Sequence, residues 1–170
     1  METAQCVFAT DLGWVGIQSS DRGLRRLTLP VGSPQEACSL LGVGILPDSP
    51  PDFLADVISR LKKYFNGYRV TFPDPLDLSG ATKFQRDIWN VTRQIPYGET
   101  RSYSWVAEHA GRPDAARAAG FALSVNPLPV IIPCHRVIEK SGRLGGYSGS
   151  IHLKRYLLWL ETTAYMRDSM

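Results

Sequence analysis

The chain has 170 residues, 44% hydrophobic and 21% charged, the balance of a globular protein with one large or two small cores rather than of a disordered chain. No apolar stretch approaches the roughly 20 residues that span a bilayer, and the N-terminus METAQCVFATDLG carries Glu2 and Asp11 where a signal peptide would be basic, so a cytoplasmic protein with no membrane partner is expected. The net charge of +3 is uneven: residues 1–79 hold 7 Lys+Arg against 9 Asp+Glu, and residues 80–170 hold 12 against 7. This fits either a polyanion partner for the second half or ordinary scatter of surface charge.

In chain order, Gln5–Thr10, Trp14–Ser19 and Leu24–Leu29 are short strand-like runs, separated by Asp11-Leu12-Gly13 and Ser20-Asp21-Arg22-Gly23. Ser33-Pro34-Gln35-Glu36 reads as a capping box with proline at the first helical position, and Gly42 as the stop. A second helix is predicted over Pro51–Phe65, with Phe53, Leu54, Val57, Ile58, Leu61, Tyr64 and Phe65 at helical spacing and Asn66-Gly67 closing it. Pro73-Asp74-Pro75-Leu76-Asp77-Leu78-Ser79-Gly80 reads as an extended connector, because proline fixes its own φ and disfavours helix before it. A domain boundary is placed there, giving 1–78, a scaffold without a catalytic motif, and 79–170.

The second half is predicted to be mainly helical. Thr82-Lys83-Phe84-Gln85 fits a capping box, followed by Phe84, Ile88, Val91 and Ile95 on one face. Pro96-Tyr97-Gly98 breaks that helix. A short helix over Tyr103–Ala110 stops at Gly111, and a third is expected from Pro113, with Asp114 complementing its dipole, to about Val125. The last helix spans about His152–Tyr165. The second and third form a helix-turn-helix pattern, and the run Asp114-Ala115-Ala116-Arg117-Ala118-Ala119-Gly120 is rich in small residues. Such a surface suits close packing against other helices or close approach to a DNA groove, with Arg117 rising from it.

Val130-Ile131-Ile132-Pro133-Cys134-His135-Arg136-Val137-Ile138 sets a thiol, an imidazole and a guanidinium between apolar runs. A thiolate is a soft nucleophile, and neighbouring His or Arg lowers its pKa. A free cysteine is most often a small core residue, but burying His135 and Arg136 beside it requires hydrogen-bond partners or a function. In an extended segment neighbouring side chains point to opposite faces, so His135 needs a bridging water or a local turn to act on Cys134. Downstream, Ser141 to Ser150 is glycine-rich; it lacks the Gly-Lys-Ser/Thr ending of a phosphate loop and reads as a loop passing close to a ligand or as a surface turn. Cys6, Cys38 and Cys134 make an odd count without paired metal-ligand spacing, so neither a disulfide framework, a metal nor a cofactor is expected.

Together these residues resemble the O6-alkylguanine-DNA alkyltransferases, the methylated-DNA–protein-cysteine methyltransferases. The stretches are Phe84-Gln85-Arg86, Ile95-Pro96-Tyr97-Gly98-Glu99-Thr100, Ser102-Tyr103, Ala115-Ala116-Arg117-Ala118, Asn126-Pro127, Ile132-Pro133-Cys134-His135-Arg136-Val137 and Gly146-Tyr147-Ser148-Gly149, ending at Glu161. The resemblance implies an α+β fold: a small antiparallel sheet with helices, ribonuclease H-like, over 1–78, and a mainly helical winged helix-turn-helix-like domain over 79–170 that binds DNA and accepts the alkyl group. It implies suicidal DNA repair without cofactor or metal: a monomer binds double-stranded DNA through the minor groove, flips out an O6-alkylguanine and transfers its alkyl group to Cys134. O4-alkylthymine is a second substrate it leaves open. By resemblance His135 activates Cys134 through a water and Glu161 orients His135. Asn126 braces the loop, Arg117 replaces the flipped nucleotide, and small Ala115 and Ala118 suit the groove. Tyr103 pushes the 3′ phosphate and donates a proton toward the leaving guanine, while Tyr147 and Ser148 line the pocket.

The chain departs from the family twice. The N-terminal zinc ligands of some members are absent. Gly146-Tyr147-Ser148-Gly149 also lacks the Arg-Trp that follows the tyrosine in many bacterial relatives, which bears on how bulky an alkyl group fits. Three rivals stand beside this reading. A non-catalytic alkyltransferase-like lesion binder would lack the cysteine, a cysteine hydrolase would need an oxyanion hole, and a plain helix-turn-helix regulator would leave Cys134-His135-Arg136 without a role.

Overall fold

The computed structural model describes residues 3–44, 50–147 and 150–168. The chain divides into two units, Met1–Leu78 and Ser79–Met170, and the architecture is mixed α+β.

In the first unit, β1 (Ala4–Thr10), β2 (Gly13–Ser20) and β3 (Gly23–Leu27) form an antiparallel meander in the order β1-β2-β3. Thr10 shapes the first turn, its hydroxyl accepting from Leu12 N and donating to Gly13 O. Helices α1 (Pro34–Leu41) and α2 (Asp52–Phe65) pack on the sheet. Ser33 caps α1 by accepting from Glu36 N, but the expected box is only half made: the Glu36 carboxylate accepts from Gly32 N instead. Leu54, Val57, Ile58, Leu61, Tyr64 and Phe65 form the buried stripe of α2; Phe53, placed in that stripe by spacing, lies at its edge and is 66% exposed.

The connector carries more structure than its prolines suggest. Leu24 N donates to Pro75 O and Asp77 N to Leu24 O, so 75–77 bridges the open edge of β3. Asp77 is buried there and accepts from the Ser20 hydroxyl at 2.6 Å. Gly23, at φ +147, permits the approach, because a Cβ would stand 2.3 Å from Pro75 O.

In the second unit α3 (Lys83–Thr92), α4 (Tyr103–His109) and α5 (Ala116–Ser124) pack together. The Thr82/Gln85 capping box forms fully. Helix α3 stops before Ile95, which is buried beyond its end. Helix α5 begins three residues later than expected: Pro113 and Asp114 form a turn, Ala115 N bonds Arg112 O, and Ala115 is the cap. Sequence pattern gave no hint of β4 (Arg101–Ser102) and β5 (Val137–Ile138), a two-residue parallel pair that fixes the start of α4 against the segment after Cys134. Helix α6 (Ile151–Asp168) packs on the Cys134 turn. Among the described residues no helix is long and apolar enough to cross a membrane.

Candidate active site

The segment entering the site is held by one side chain. Asn126 Oδ1 accepts from Leu128 N at 2.8 Å, and its Nδ2 donates to Ile132 O at 2.9 Å and to Cys134 Sγ at 3.2 Å. Between these anchors Val130 sits at φ +75, a left-handed conformation that costs a β-branched residue about 1–3 kcal/mol. Cys134–Arg136 then forms a single 3-10 turn, the local turn that is one of the two ways for His135 to act on Cys134. The turn sends Cys134 to the floor of a cavity and His135 toward α6.

Glu161 collects the charges behind the cysteine. His135 Nε2 bonds Glu161 Oε2, Arg136 donates to Oε1 at 2.8 Å and to Oε2 at 3.2 Å, and Gly98 N donates to Oε1 at 3.1 Å. Arg136 also reaches Ile95 O at 2.8 Å. His135 is fully buried and Glu161 nearly so. Burial by itself would raise the Glu161 pKa, but His135 and Arg136 hold it well below the usual carboxylate range. Burial lowers the His135 pKa, Glu161 only partly offsetting it. With Arg136 already on the carboxylate, the pair rests as an ionised Glu161 and a neutral imidazole.

The cavity above Cys134, about 640 Å³, is lined by Tyr103, Arg117, Gly120, Glu139, Gly146 and Tyr147 among others. Burial pushes the Cys134 thiol up, and the Asn126 hydrogen bond and the Lys154 charge draw it only partly back. The Tyr147 hydroxyl is buried, meets no nitrogen or oxygen partner among the described residues and faces the Cys134 sulfur; burial and that neighbour raise its pKa well above a free phenol's. The structure therefore brings Cys134, His135, Glu161, Asn126, Tyr103, Arg117 and Tyr147 to one place. Ala115 and Ala118 are not in the cavity wall, where Ala116 stands instead. Ser148 lies outside the described residues.

Lys154 was missed. Its side chain is fully buried, and Nζ donates to Val137 O at 2.7 Å, Gly146 O at 3.1 Å and the Tyr103 hydroxyl at 3.4 Å. Burial lowers its pKa to about 8, against the opposing pull of Cys134 and Glu139. A signal was available: Lys154, Leu157 and Glu161 fall at i, i+3 and i+7, so two charges share the inward stripe of α6 with a core leucine. Gly145 was legible only as a glycine of a ligand-facing loop. It lies at φ +71, where a Cβ would stand 2.7 Å from the Tyr103 hydroxyl, so the close neighbour is the pocket's own tyrosine.

Residues 83–163 match the family model for the DNA-binding domain of 6-O-methylguanine DNA methyltransferase. A methylated-DNA–protein-cysteine methyltransferase of Mycobacterium leprae is 50% identical over 119 residues, 70% of either chain. The chain belongs to the methylated-DNA–protein-cysteine methyltransferase family. As a member it is an enzyme of DNA repair that works by alkyl transfer, and its partner is DNA. The crystal structure of Mycobacterium tuberculosis O6-methylguanine methyltransferase superposes with a TM-score of 0.78 at 37% identity, covering 96% of this chain and 94% of that one. That of Mycobacterium tuberculosis OGT in complex with DNA gives 0.76 at 34% identity, covering 94% and 93%.

Proposed function

We propose that the chain transfers the alkyl group of an O6-alkylguanine in double-stranded DNA to the sulfur of Cys134, irreversibly and once per molecule. The observation that carries this is Cys134 at the floor of a cavity of about 640 Å³, roomy enough to admit a nucleobase, backed by a neutral imidazole on a buried carboxylate. Cys134 rests as a thiol and must lose its proton to react. With Nε2 committed to Glu161, Nδ1 takes that proton through a bridging water, and Glu161 stabilises the imidazolium formed. The thiolate attacks the alkyl carbon, the S–C bond forms as the C–O6 bond breaks, and the electron pair passes to the guanine. The Tyr103 hydroxyl supplies the balancing proton, and the Lys154 ammonium, 3.4 Å away, stabilises the phenolate and returns a proton to it. The product thioether faces no group able to cleave it, so the protein is consumed.

The lesion reaches the cavity only outside the base stack. Flipping costs a few kcal/mol and is easier for a poorly paired alkylguanine. In this reading α5 enters the minor groove, its small Ala115 and Ala118 allow close approach, Arg117 fills the vacated stack, and Tyr103 displaces the 3′ phosphate. Tyr147 and Ser148 wall the base. Cys134, His135, Glu161, Tyr103 and Lys154 all come from one chain, so a monomer suffices.

With excess duplex carrying one O6-methylguanine, transfer should stop at one methyl group per protein, and Cys134→Ser should transfer none. Continued turnover would contradict single use. Tight binding without transfer would favour the alkyltransferase-like lesion binder.

A further inference from the structure

The outer face of α5 carries a residue that the chemistry above leaves unused. Residues four apart on a helix share a face, and Arg117, Phe121 and Val125 form such a row along α5, from its second residue to its C-terminal cap. All three are exposed, Phe121 at 69% and Val125 at 45%. The opposite face is closed: Ala119, Ala122 and Leu123 are buried, and the Trp89 indole donates to Ala122 O. The row meets the cavity at Arg117, which belongs to its wall together with Gly120 and Ser124, the chain neighbours of Phe121 and Val125. No carboxylate lies on α5, so nothing on it repels a phosphate backbone.

A single exposed apolar side chain is ordinary. This one is a phenylalanine, in line with an exposed valine and one turn from the helix's only cation, Arg117, which itself lines the reactive cavity. Proteins that enter the minor groove use apolar side chains of this kind against sugars and base edges, often beside the site of distortion. We propose that Phe121 is a second DNA-contacting wedge of this protein. It packs against the deoxyribose and base-edge carbons of the duplex next to the extruded nucleotide, while Arg117 occupies the place that nucleotide left. The inference rests on the groove placement of α5 proposed above. It adds a determinant of duplex affinity that is apolar and blind to salt.

The test measures fluorescence anisotropy of a labelled duplex with one O6-methylguanine, in a Cys134→Ser background so that no transfer intervenes. Phe121→Ala should weaken binding about tenfold, the loss expected when one aromatic contact leaves an interface. The slope of log affinity against log salt should stay at its parent value, because no phosphate contact is lost. Phe121→Leu should restore most of the affinity. With Cys134 intact, Phe121→Ala should still react with the free base O6-methylguanine as the unsubstituted protein does, which a damaged pocket would not allow. Unchanged duplex affinity in Phe121→Ala would overturn the proposal while leaving the alkyl-transfer reading intact. Sedimentation showing self-association that Phe121→Ala abolishes would also overturn it, assigning the face to a second copy of the chain. If the parent protein itself does not bind the lesion duplex, the groove placement fails and the proposal with it.

Discussion

Glu161 is bonded by His135, Arg136 and Gly98, and each of these belongs to a different part of the site: His135 to the nucleophile, Arg136 to the Cys134 turn, Gly98 to the turn that follows α3. Breaking a buried ion pair from one side leaves the other charge unpaired, at about 3–5 kcal/mol. Glu161→Ala should therefore lose stability on that scale in denaturant unfolding, as well as activity. Asn126→Ala is a sharper probe of the loop. It strands Leu128 N, an unsatisfied buried group that costs about 1–3 kcal/mol, leaves Ile132 O with the Cys134 N–H as its donor, and releases the strained Val130. It also removes the donor to Cys134 Sγ, so thiol alkylation by a small electrophile should slow along with methyl transfer. Lys154 gives a pH handle. Its folded pKa of about 8 lies below the ordinary 10.5. The ammonium that supports Tyr103 and the Cys134 thiolate is thus lost as pH rises through about 8, and methyl transfer should decline over that range. Lys154→Met should react more slowly throughout and lack that decline.

At the scale of elements, the capping box of α3 is a local contribution that can be removed cleanly. Thr82→Ala should cost about 1 kcal/mol and lower Tm by about 2–4 °C in a chain of this size, without changing methyl transfer. Local rules made much of this level legible: the three strands, the Ser33 and Thr82 caps, the buried stripe of α2 and the Gly42 and Gly111 stops all follow from turn chemistry and spacing. What escaped depends on contacts between distant segments. The β4–β5 pair joins residues 101–102 to 137–138, too short a ladder to leave an alternating pattern. Pro113 and Asp114 look like a helix start, yet the turn closed by Ala115 N and Arg112 O delays α5 to Ala116. Cys134, His135 and Arg136 stood out by their chemistry, whereas Glu161 came from resemblance because only the fold selects it from the other acids. Lys154 escaped because a lysine reads as surface unless its register with Leu157 is checked.

For the molecule as a whole, two buried groups set the response to acid. The His135 pKa is lowered from 6.5, so below that pH the unfolded chain takes up a proton that the folded one refuses, and stability falls as pH drops. Glu161 is held below 4.5, so its contribution is present above that value and is lost as pH falls further. Denaturant unfolding should show stability declining from about pH 6.5 downward, and His135→Gln should flatten the part between 6.5 and 4.5. The sequence-level charge asymmetry, with the excess of basic residues confined to 80–170, has its counterpart in the DNA-binding domain matched at 83–163. All of this serves one event, the arrival of an alkyl group on one sulfur. The most direct test is to react the protein with a duplex carrying a single O6-methylguanine, digest it and weigh the peptides. One methyl group on every molecule, confined to the peptide that holds Cys134, is the predicted result; a methyl group on any other peptide, or none while the lesion disappears from the DNA, would contradict it.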